Sequence, residues 1–219
     1  YDPLKDFSPI SLAGITPNIV LVNANLPANS IAELVALAKA KPGELNVFVS
    51  SPAGSLSLAA LLFEVMTGAK FTKIIYKATN LGLNDLMAGR LQVMFSTVAS
   101  GLPLVKSGKL KGLAVTSQNR SPQAPDLPTI ASLGYPNFES GSVQALLAPP
   151  GTPPAIVNRL NQEVVKFLNQ SDAKAKIAGL GVEVVASSPA DLSKYMKSEM
   201  DRIGPVVRAA GIQPGEGND

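Results

Sequence analysis

The sequence contains neither cysteine nor histidine. The lack of cysteine excludes disulfides and thiolate metal ligands, and the lack of histidine removes imidazole ligands and the commonest general base of enzymes. Only 5% of the residues are aromatic, and the 19 basic residues are scattered along the chain. Because nucleic-acid-binding proteins usually present a basic face, often with stacking aromatics, we expect no nucleic-acid partner.

Long hydrophobic runs are also missing, since no apolar stretch reaches the roughly 18–20 residues that span a bilayer. No signal peptide is visible, and the chain opens at Tyr1 rather than at a methionine. We therefore expect that an upstream segment has been removed, so the lack of a leader says nothing about compartment. The 219 residues are 46% hydrophobic and 16% charged, with a net charge of +3. This composition suits one large domain or two small lobes with a buried core.

Apolar periodicity predicts an alternation of strands and helices. Strands are predicted at 18–22, 45–50, 71–76, 91–95 and 110–116. A helix capped by Ser30, with Glu33 at capping-box spacing, follows the first strand. Further helices are predicted at 55–67, 79–88 and 97–106. Such an alternation is typical of a parallel α/β sheet.

The second half of the chain continues the pattern after a proline- and serine-rich loop over 117–140, which carries one short helix near 129–133. Strands are predicted at 143–148 and 182–185, and helices at 153–168, 172–178 and 191–210. The tail 213–219 is predicted to be frayed. In the helix over 153–168, the residues predicted to face inward are Ile156, Leu160, Val164 and either Phe167 or Leu168.

The ends of the predicted strands carry short hydroxyl and amide side chains, with Lys77 as the only charge among them. Ligands of parallel α/β sheets bind beyond these carboxyl ends. The helices that start near Ser55, Thr79 and Thr97 have no acidic residue in their first turn. Because first-turn N–H groups lack an internal partner and carry partial positive charge, three such starts predict an anion site. Gly54 would let the backbone approach the ligand.

A plainer interpretation stays open, because serine and threonine are the commonest N-caps and Lys77 can be an ordinary surface lysine. Enzyme motifs are weak: neither GxSxG nor a Walker sequence occurs, and the Ser-x-x-Lys spacing at Ser171 suits a helix cap better than a nucleophile. The helical acids lack a paired partner in sequence and are predicted to be solvent-exposed: Glu64, Asp85, Glu163 and Asp201. We expect no catalytic residue, no metal and no cofactor.

Five stretches together resemble the Bug family, the periplasmic solute-binding proteins of tripartite tricarboxylate transporters. They are YDPLKDFSPISLAG, LNVFVSSPAGSLSLAALLFEVMTG, IIYKATNLGLNDLMAGRLQVMFST, LKGLAVTSQNRSPQAPDLPTIASLGYPNFES and LLAPPGTPPAIVNRLNQEVVKFL. The resemblance runs from Tyr1 to about Ile212. It implies a type II periplasmic-binding-protein-like α/β fold, with two α/β lobes around a cleft.

The family carries a sizeable segment before YDPLKDF that is absent here, so the first lobe is expected to be incomplete. The resemblance implies that residues 1–22 are a remnant of lobe 1 and that 23–125 form a complete lobe 2. Residues 126–219 would then hold the crossover and the carboxy-terminal part of lobe 1. We expect the incomplete lobe to expose an edge or an apolar face and to self-associate.

The resemblance implies a periplasmic protein that captures a small di- or tricarboxylate or aromatic acid and delivers it to the membrane subunits of a transporter. Ser57, Ala78 and Ser96 depart from family patterns of histidine, glycine and aspartate, and the last change disfavours α-amino acids. A ligand sensor for a signalling receptor is the alternative function, and a small α/β hydrolase is a third. The ligand-binding residues predicted are Ser51, Gly54, Ser55, Leu56, Ser57, Lys77, Ala78, Thr79, Ser96 and Thr97.

Overall fold

One long strand, β1 (Ser8–Asn23), runs through both compact units of the protein. A computed structural model describes residues 2–51 and 54–211, and the predicted frayed tail lies outside them. The first unit is Tyr1–Thr16 with Ser142–Pro205, and the second is Pro17–Gly141 with Val206–Asp219. This division into units does not test the lobes predicted from the sequence, which remain a prediction.

The second unit is an α/β sheet in the order β3-β2-β4-β1-β5. Its helices and strands follow the predicted alternation, with ends that differ by at most two residues, except that β1 begins ten residues before the predicted strand. The elements are α1 (Ile31–Ala40), β2 (Asn46–Val49), α2 (Ser55–Thr67), β3 (Thr72–Ile75), α3 (Thr79–Met87), β4 (Val93–Thr97), α4 (Val98–Lys106), β5 (Leu110–Val115) and a short 3₁₀ helix (Ala131–Leu133).

The sheet of the second unit is mixed, so the predicted all-parallel arrangement is wrong for β1. Strand β2 is parallel to both β3 and β4, but β1 is antiparallel to β4 and to β5. Periodicity reports which residues are buried and not which way a strand runs, so sequence alone could not supply this direction. As a result, the part of β1 that belongs to the second unit begins, at Pro17, beside the carboxyl ends of β4 and β5.

Both faces of this sheet are covered by apolar side chains. Ile19 and Leu21 lie on one face and belong to a buried cluster with Phe48 and Met94. On the opposite face, Phe63 makes edge contacts with two other fully buried phenylalanines, with ring centroids 5.7 Å from Phe95 and 6.2 Å from Phe138. Each such side chain contributes about 1.5–3 kcal/mol on burial, so the second unit carries a substantial core.

The first unit is built on the other half of β1, which pairs with β6 (Gly141–Ala148) and β7 (Glu183–Val184). Its helices are α5 (Pro154–Leu168), α6 (Ser171–Gly179) and most of α7 (Pro189–Ala209), whose last four residues belong to the second unit. Asn161 of α5 donates from Nδ2 to the backbone oxygens of Ile10 and Ser187, at 2.8 Å each. These bonds join the helix to β1 and to the chain that follows β7.

The predicted inward face of α5 is largely outward. Ile156, Leu160 and Phe167 are 51%, 42% and 57% exposed, whereas Leu168, the predicted alternative to Phe167, is buried, as is Val157. The periodic apolar stripe exists, but the described residues of the first unit cover only part of it. None of the helices within 2–51 and 54–211 is long and apolar enough to cross a bilayer.

Two of the four helical acids are not simple surface groups, which corrects the prediction for them. Glu64 is 7% exposed, accepts from the backbone N–H of Phe71 at 2.8 Å and pairs with Lys73 at 2.9 Å. Asp85 accepts from the hydroxyl of Tyr76 and is treated below. Glu163 and Asp201 are solvent-exposed, as predicted. Each forms a salt bridge on its own helix, Glu163 with Arg159 and Asp201 with Lys197.

Strand β3 and helix α3 are joined by a side-chain lock. The Tyr76 hydroxyl donates to Asp85 Oδ2 at 2.7 Å, Arg90 pairs with Oδ1 of the same carboxylate, and the Tyr76 ring stacks on Phe48 with centroids 5.6 Å apart. The hydrogen bond from Tyr76, and then Arg90, lower the pKa of Asp85 below its ordinary value of 3.8. Burial, and then Asp85, raise the pKa of Tyr76 above 10.0.

This lock predicts a loss of stability in acid. Because the pKa of Asp85 is lower in the folded than in the unfolded chain, its contribution is present above the unfolded value and is lost as pH falls through the folded value. We expect the melting temperature of the wild type to fall below about pH 4 more steeply than that of Asp85→Asn or Tyr76→Phe. Parallel profiles for all three proteins, measured by circular dichroism, would contradict the lock.

Candidate functional site

The carboxyl ends of β2, β3, β4 and β5 meet the beginning of the antiparallel half of β1 at one edge of the second unit's sheet. The register places Asn18 opposite Thr97, and Ile19 opposite both Ser96 and Val115. We call this the sheet edge. Every predicted ligand-binding residue lies on the segments that leave β2, β3 or β4 there.

Helix α2 begins at Ser55 with Gly54 as its N-cap. The Gly54 N–H donates to the Ser51 carbonyl at 3.1 Å, and a Cβ at Gly54 would lie 2.8 Å from Ser50 Oγ and 2.9 Å from Ser51 Oγ. A side chain at position 54 would therefore force the Ser50 and Ser51 hydroxyls to move. Pro52 and Ala53, within the predicted turn, lie outside the described residues.

Two of the predicted ligand-binding residues on α2, Leu56 and Ser57, use their side chains to hold the fold. Leu56 is 8% exposed and packs in the buried cluster with Phe48, and Ser57 Oγ accepts from the Ser50 N–H at 3.1 Å. The side chain of Leu56 is thus unsuited to a polar ligand, and the Ser57 oxygen is already in use. What these two positions offer a ligand is mainly backbone N–H groups of the first helical turn.

Helix α3 begins at Thr79 with Ala78 as its N-cap, and both Lys77 and Ala78 are exposed. Ser55 and Thr79 are therefore first residues of their helices, with Gly54 and Ala78 in the cap positions. Neither of these two caps has a side-chain hydrogen bond within the described chain. The plainer interpretation, in which Ser55 and Thr79 are ordinary N-caps, is wrong for both.

Helix α4 follows β4 directly, with Thr97 as its N-cap. Thr97 Oγ1 accepts from the Ser100 N–H at 3.3 Å and donates to, or accepts from, Ser100 Oγ at 3.0 Å. Capping alone explains this threonine. The first turns of α2, α3 and α4 contain no acidic residue, so the predicted positive helix starts are present.

Three buried side chains at the sheet edge hold polar atoms that have no hydrogen-bond partner among the described residues: Asn18 Nδ2 and Oδ1, Ser96 Oγ and Ser117 Oγ. Asn18 and Ser96 are wholly inaccessible, and Ser117 is 9% exposed. Leaving such a group unpaired costs about 1–3 kcal/mol. Groups of this kind concentrate where a protein receives a ligand or an ordered water.

Sequence reasoning missed Asn18 and left Ser117 out of the predicted site. Asn18 opens the NIVLV strand and was counted only as a strand residue, because the antiparallel direction of β1 was not foreseen. The signal in the sequence that could have identified Asn18 is a polar amide directly before the four apolar residues 19–22. Its backbone is fixed by Thr116, whose Oγ1 accepts from the Asn18 N–H at 2.8 Å and whose N–H donates to the Asn18 carbonyl at 2.9 Å.

The chemistry offered at the sheet edge is neutral hydrogen bonding plus the partial positive charge of helix starts. Lys77, on the surface, is the only formally charged side chain among the predicted ligand-binding residues. Across the described ranges 2–51 and 54–211, no three carboxylates come together in an arrangement that could hold a metal ion. The arrangement suits an anion held by N–H and hydroxyl donors.

The sequence and the fold are similar to those of known proteins. The sequence profile of the tripartite tricarboxylate transporter family receptor, TctC, matches residues 1–212. Protein BugT of Bordetella pertussis is 32% identical over 213 residues, which are 97% of this chain and 65% of BugT. The chain thus spans about two thirds of the length of that relative.

Two solved structures share the architecture. Rpa4515 of Rhodopseudomonas palustris, determined with adipate, is 36% identical with a TM-score of 0.79, over 96% of this chain and 71% of that one. MatC (Rpa3494) of the same organism, with bound malate, is 28% identical with a TM-score of 0.77, over 94% and 71% of the two chains. The predicted fold class, that of periplasmic binding proteins, is confirmed. The chain belongs to the TctC family of tripartite tricarboxylate transporter receptors, to which the Bug proteins also belong.

Proposed function

We propose that this protein is a periplasmic solute-binding receptor that holds a small organic carboxylate at the sheet edge, without catalysis, and presents it to the membrane subunits of a transporter. The observation that carries the proposal is that one edge holds three helix starts without acidic residues and three buried polar side chains with no partner among the described residues. Adipate and malate in the two related structures are both carboxylates, which supports the same ligand class here.

The proposed binding mode assigns the carboxylate to the first turns of α2 and α3. Backbone N–H groups there would donate to the ligand oxygens, and the hydroxyls of Ser55 and Thr79 stand at the two starts. Ser96 and Thr97 stand at the end of β4, between these segments and β1 in the strand order. Because nearby fixed charges are few, selectivity would come from the positions of donors more than from a salt bridge.

The carboxylate site predicts a selective effect of added negative charge. Thr79→Glu places an acid in the first turn of α3, where it stabilises the helix but repels an anion. We expect the dissociation constant for any bound carboxylate to rise at least about tenfold, since like charges in contact cost several kcal/mol. The wild type should show a thermal shift at 100 times the dissociation constant, equivalent to roughly 2.7 kcal/mol.

The matched control is Ala155→Glu, which adds the same charge to the first turn of α5 in the first unit. This variant should bind like the wild type. A panel of dicarboxylates, tricarboxylates and aromatic acids, read by thermal shift and then calorimetry, tests both variants. Equal weakening in the two, or binding that ignores Thr79→Glu, would argue against a carboxylate at the sheet edge.

We also propose that the first unit pairs with a second copy of the chain. Of the fifteen large hydrophobic residues that are exposed in the described part of the chain, eleven belong to this unit, including Leu4 and Phe7 near the start, Leu147 on β6, and Leu160 and Phe167 on α5. Exposed apolar area of this extent favours association, because its removal from water releases about 25 cal/mol per Å².

This surface predicts an oligomer that one substitution weakens. The wild-type chain should elute in size-exclusion chromatography with light scattering as a species larger than the 22.7 kDa monomer. Leu160→Glu should shift it toward the monomer, since a charge would be buried on pairing. The control is Val65→Glu, which also replaces an exposed aliphatic residue by an acid, at a 53% exposed position of the second unit, and it should leave the elution volume unchanged. A clean wild-type monomer would contradict the proposal.

A further inference from the structure

Asn18 stands apart from the other buried polar side chains of β1. The chain carries a second buried asparagine on the same strand, Asn23, which is 6% exposed. Its Nδ2 donates to the carbonyls of Leu86 at 2.7 Å and Met87 at 3.2 Å, and its Oδ1 accepts from the Asn25 N–H at 2.9 Å. Asn23 is therefore fully used in holding the fold.

Asn18 lies on the same strand, but its side chain forms none of the hydrogen bonds that hold Asn23. Its side chain is wholly inaccessible, yet neither Nδ2 nor Oδ1 has a partner within the part of the chain that the structure describes. An apolar residue at this position would avoid that cost, since cores accept aliphatic side chains without unpaired groups. The retained amide therefore points to a partner that the protein itself does not supply.

The chemistry of an amide narrows what that partner can be. A carboxamide offers two N–H donors and one carbonyl acceptor, and both kinds of atom are unpaired in Asn18. A carboxylate can accept from Nδ2 but has no proton for Oδ1. A hydroxyl can both donate and accept, so it can satisfy both atoms. Ser96 Oγ and Ser117 Oγ, also buried and unpartnered at this edge, are equally neutral.

We propose that Asn18 is a specificity-determining residue that binds a hydroxyl group of the ligand, so the receptor prefers hydroxycarboxylates to the matching plain carboxylates. This inference rests on the proposed carboxylate function and deepens it. In a site closed to water, hydrogen bonds of this kind discriminate strongly, because an analogue without the hydroxyl leaves the buried amide unpaired. Selection by Asn18 thus adds to the general affinity for anions supplied by the helix starts.

The experiment compares ligands that differ by a single hydroxyl: succinate with malate, glutarate with α-hydroxyglutarate, and phenylacetate with mandelate. Calorimetry on the wild-type chain should show at least about tenfold tighter binding of the hydroxylated member of the pair that fits the site. Asn18→Leu should bring the two affinities within about twofold of each other. The same substitution should keep or raise the melting temperature, because it removes an unpaired buried amide.

Asn23→Leu is the matched control, since it breaks three hydrogen bonds that the fold uses. It should lower the melting temperature and leave the preference for the hydroxyl unchanged. Asn18→Thr serves as a second variant of different size, and it should reduce the preference without removing it, because one hydroxyl replaces three polar hydrogen-bonding positions.

The outcomes separate the two proposals. Equal affinities within every pair for the wild type, with Asn18→Leu binding as well as the wild type, overturn the hydroxyl selection and leave the carboxylate receptor standing. A loss of stability in Asn18→Leu as large as in Asn23→Leu, with the ligand preference intact, assigns Asn18 a structural role and also overturns it. If the wild-type chain binds none of the six acids and neither adipate nor citrate, the carboxylate receptor itself is overturned, and the hydroxyl selection with it.

Discussion

Buried polar groups must find a hydrogen-bond partner, and the sheet edge of the second unit is where this constraint is left open. Elsewhere in the described chain, Glu64 is satisfied by Phe71 and Lys73, and Asn23 by three backbone groups. The exception there is Gln144 Oε1 on β6, which has no partner among the described residues. At the sheet edge, Asn18, Ser96 and Ser117 are not satisfied by the described residues. The same edge collects three helix starts whose first-turn N–H groups have no acidic neighbour. Helix starts of positive potential and neutral polar atoms without a described partner therefore occur at the same end of the sheet, a setting that suits an organic anion.

The rest of the second unit makes this edge rigid. Phe63, Phe95 and Phe138 pack on one face of the sheet, while Ile19, Leu21 and Phe48 pack on the other. Tyr76 ties the end of β3 to α3 through Asp85, so the turn that carries Lys77 and Thr79 is held by a side chain beside it.

Much of this could be predicted from the sequence, because apolar periodicity and glycine or proline breaks mark elements well. The order of strands and helices, the Ser30 cap and the acid-free helix starts all followed from local patterns. What depended on long-range pairing could not. The antiparallel direction of β1, and with it the place of Asn18, is fixed by contacts with β4 and β5 between residues 71 to 96 positions apart in the sequence. Likewise, an apolar stripe on α5 signals burial only where something covers it, and Ile156, Leu160 and Phe167 are exposed.

The central claim, that a carboxylate is held at the sheet edge, is tested most directly by nuclear magnetic resonance on the ¹⁵N-labelled chain titrated with a carboxylate that gives a thermal shift. The account predicts that the backbone amides opening α2 and α3 and the side-chain NH₂ of Asn18 move together with one dissociation constant. The amides opening α5 and the side-chain NH₂ of Asn23 should stay in place. Saturable shifts confined to α5 or α7, with the sheet edge unchanged, would contradict it.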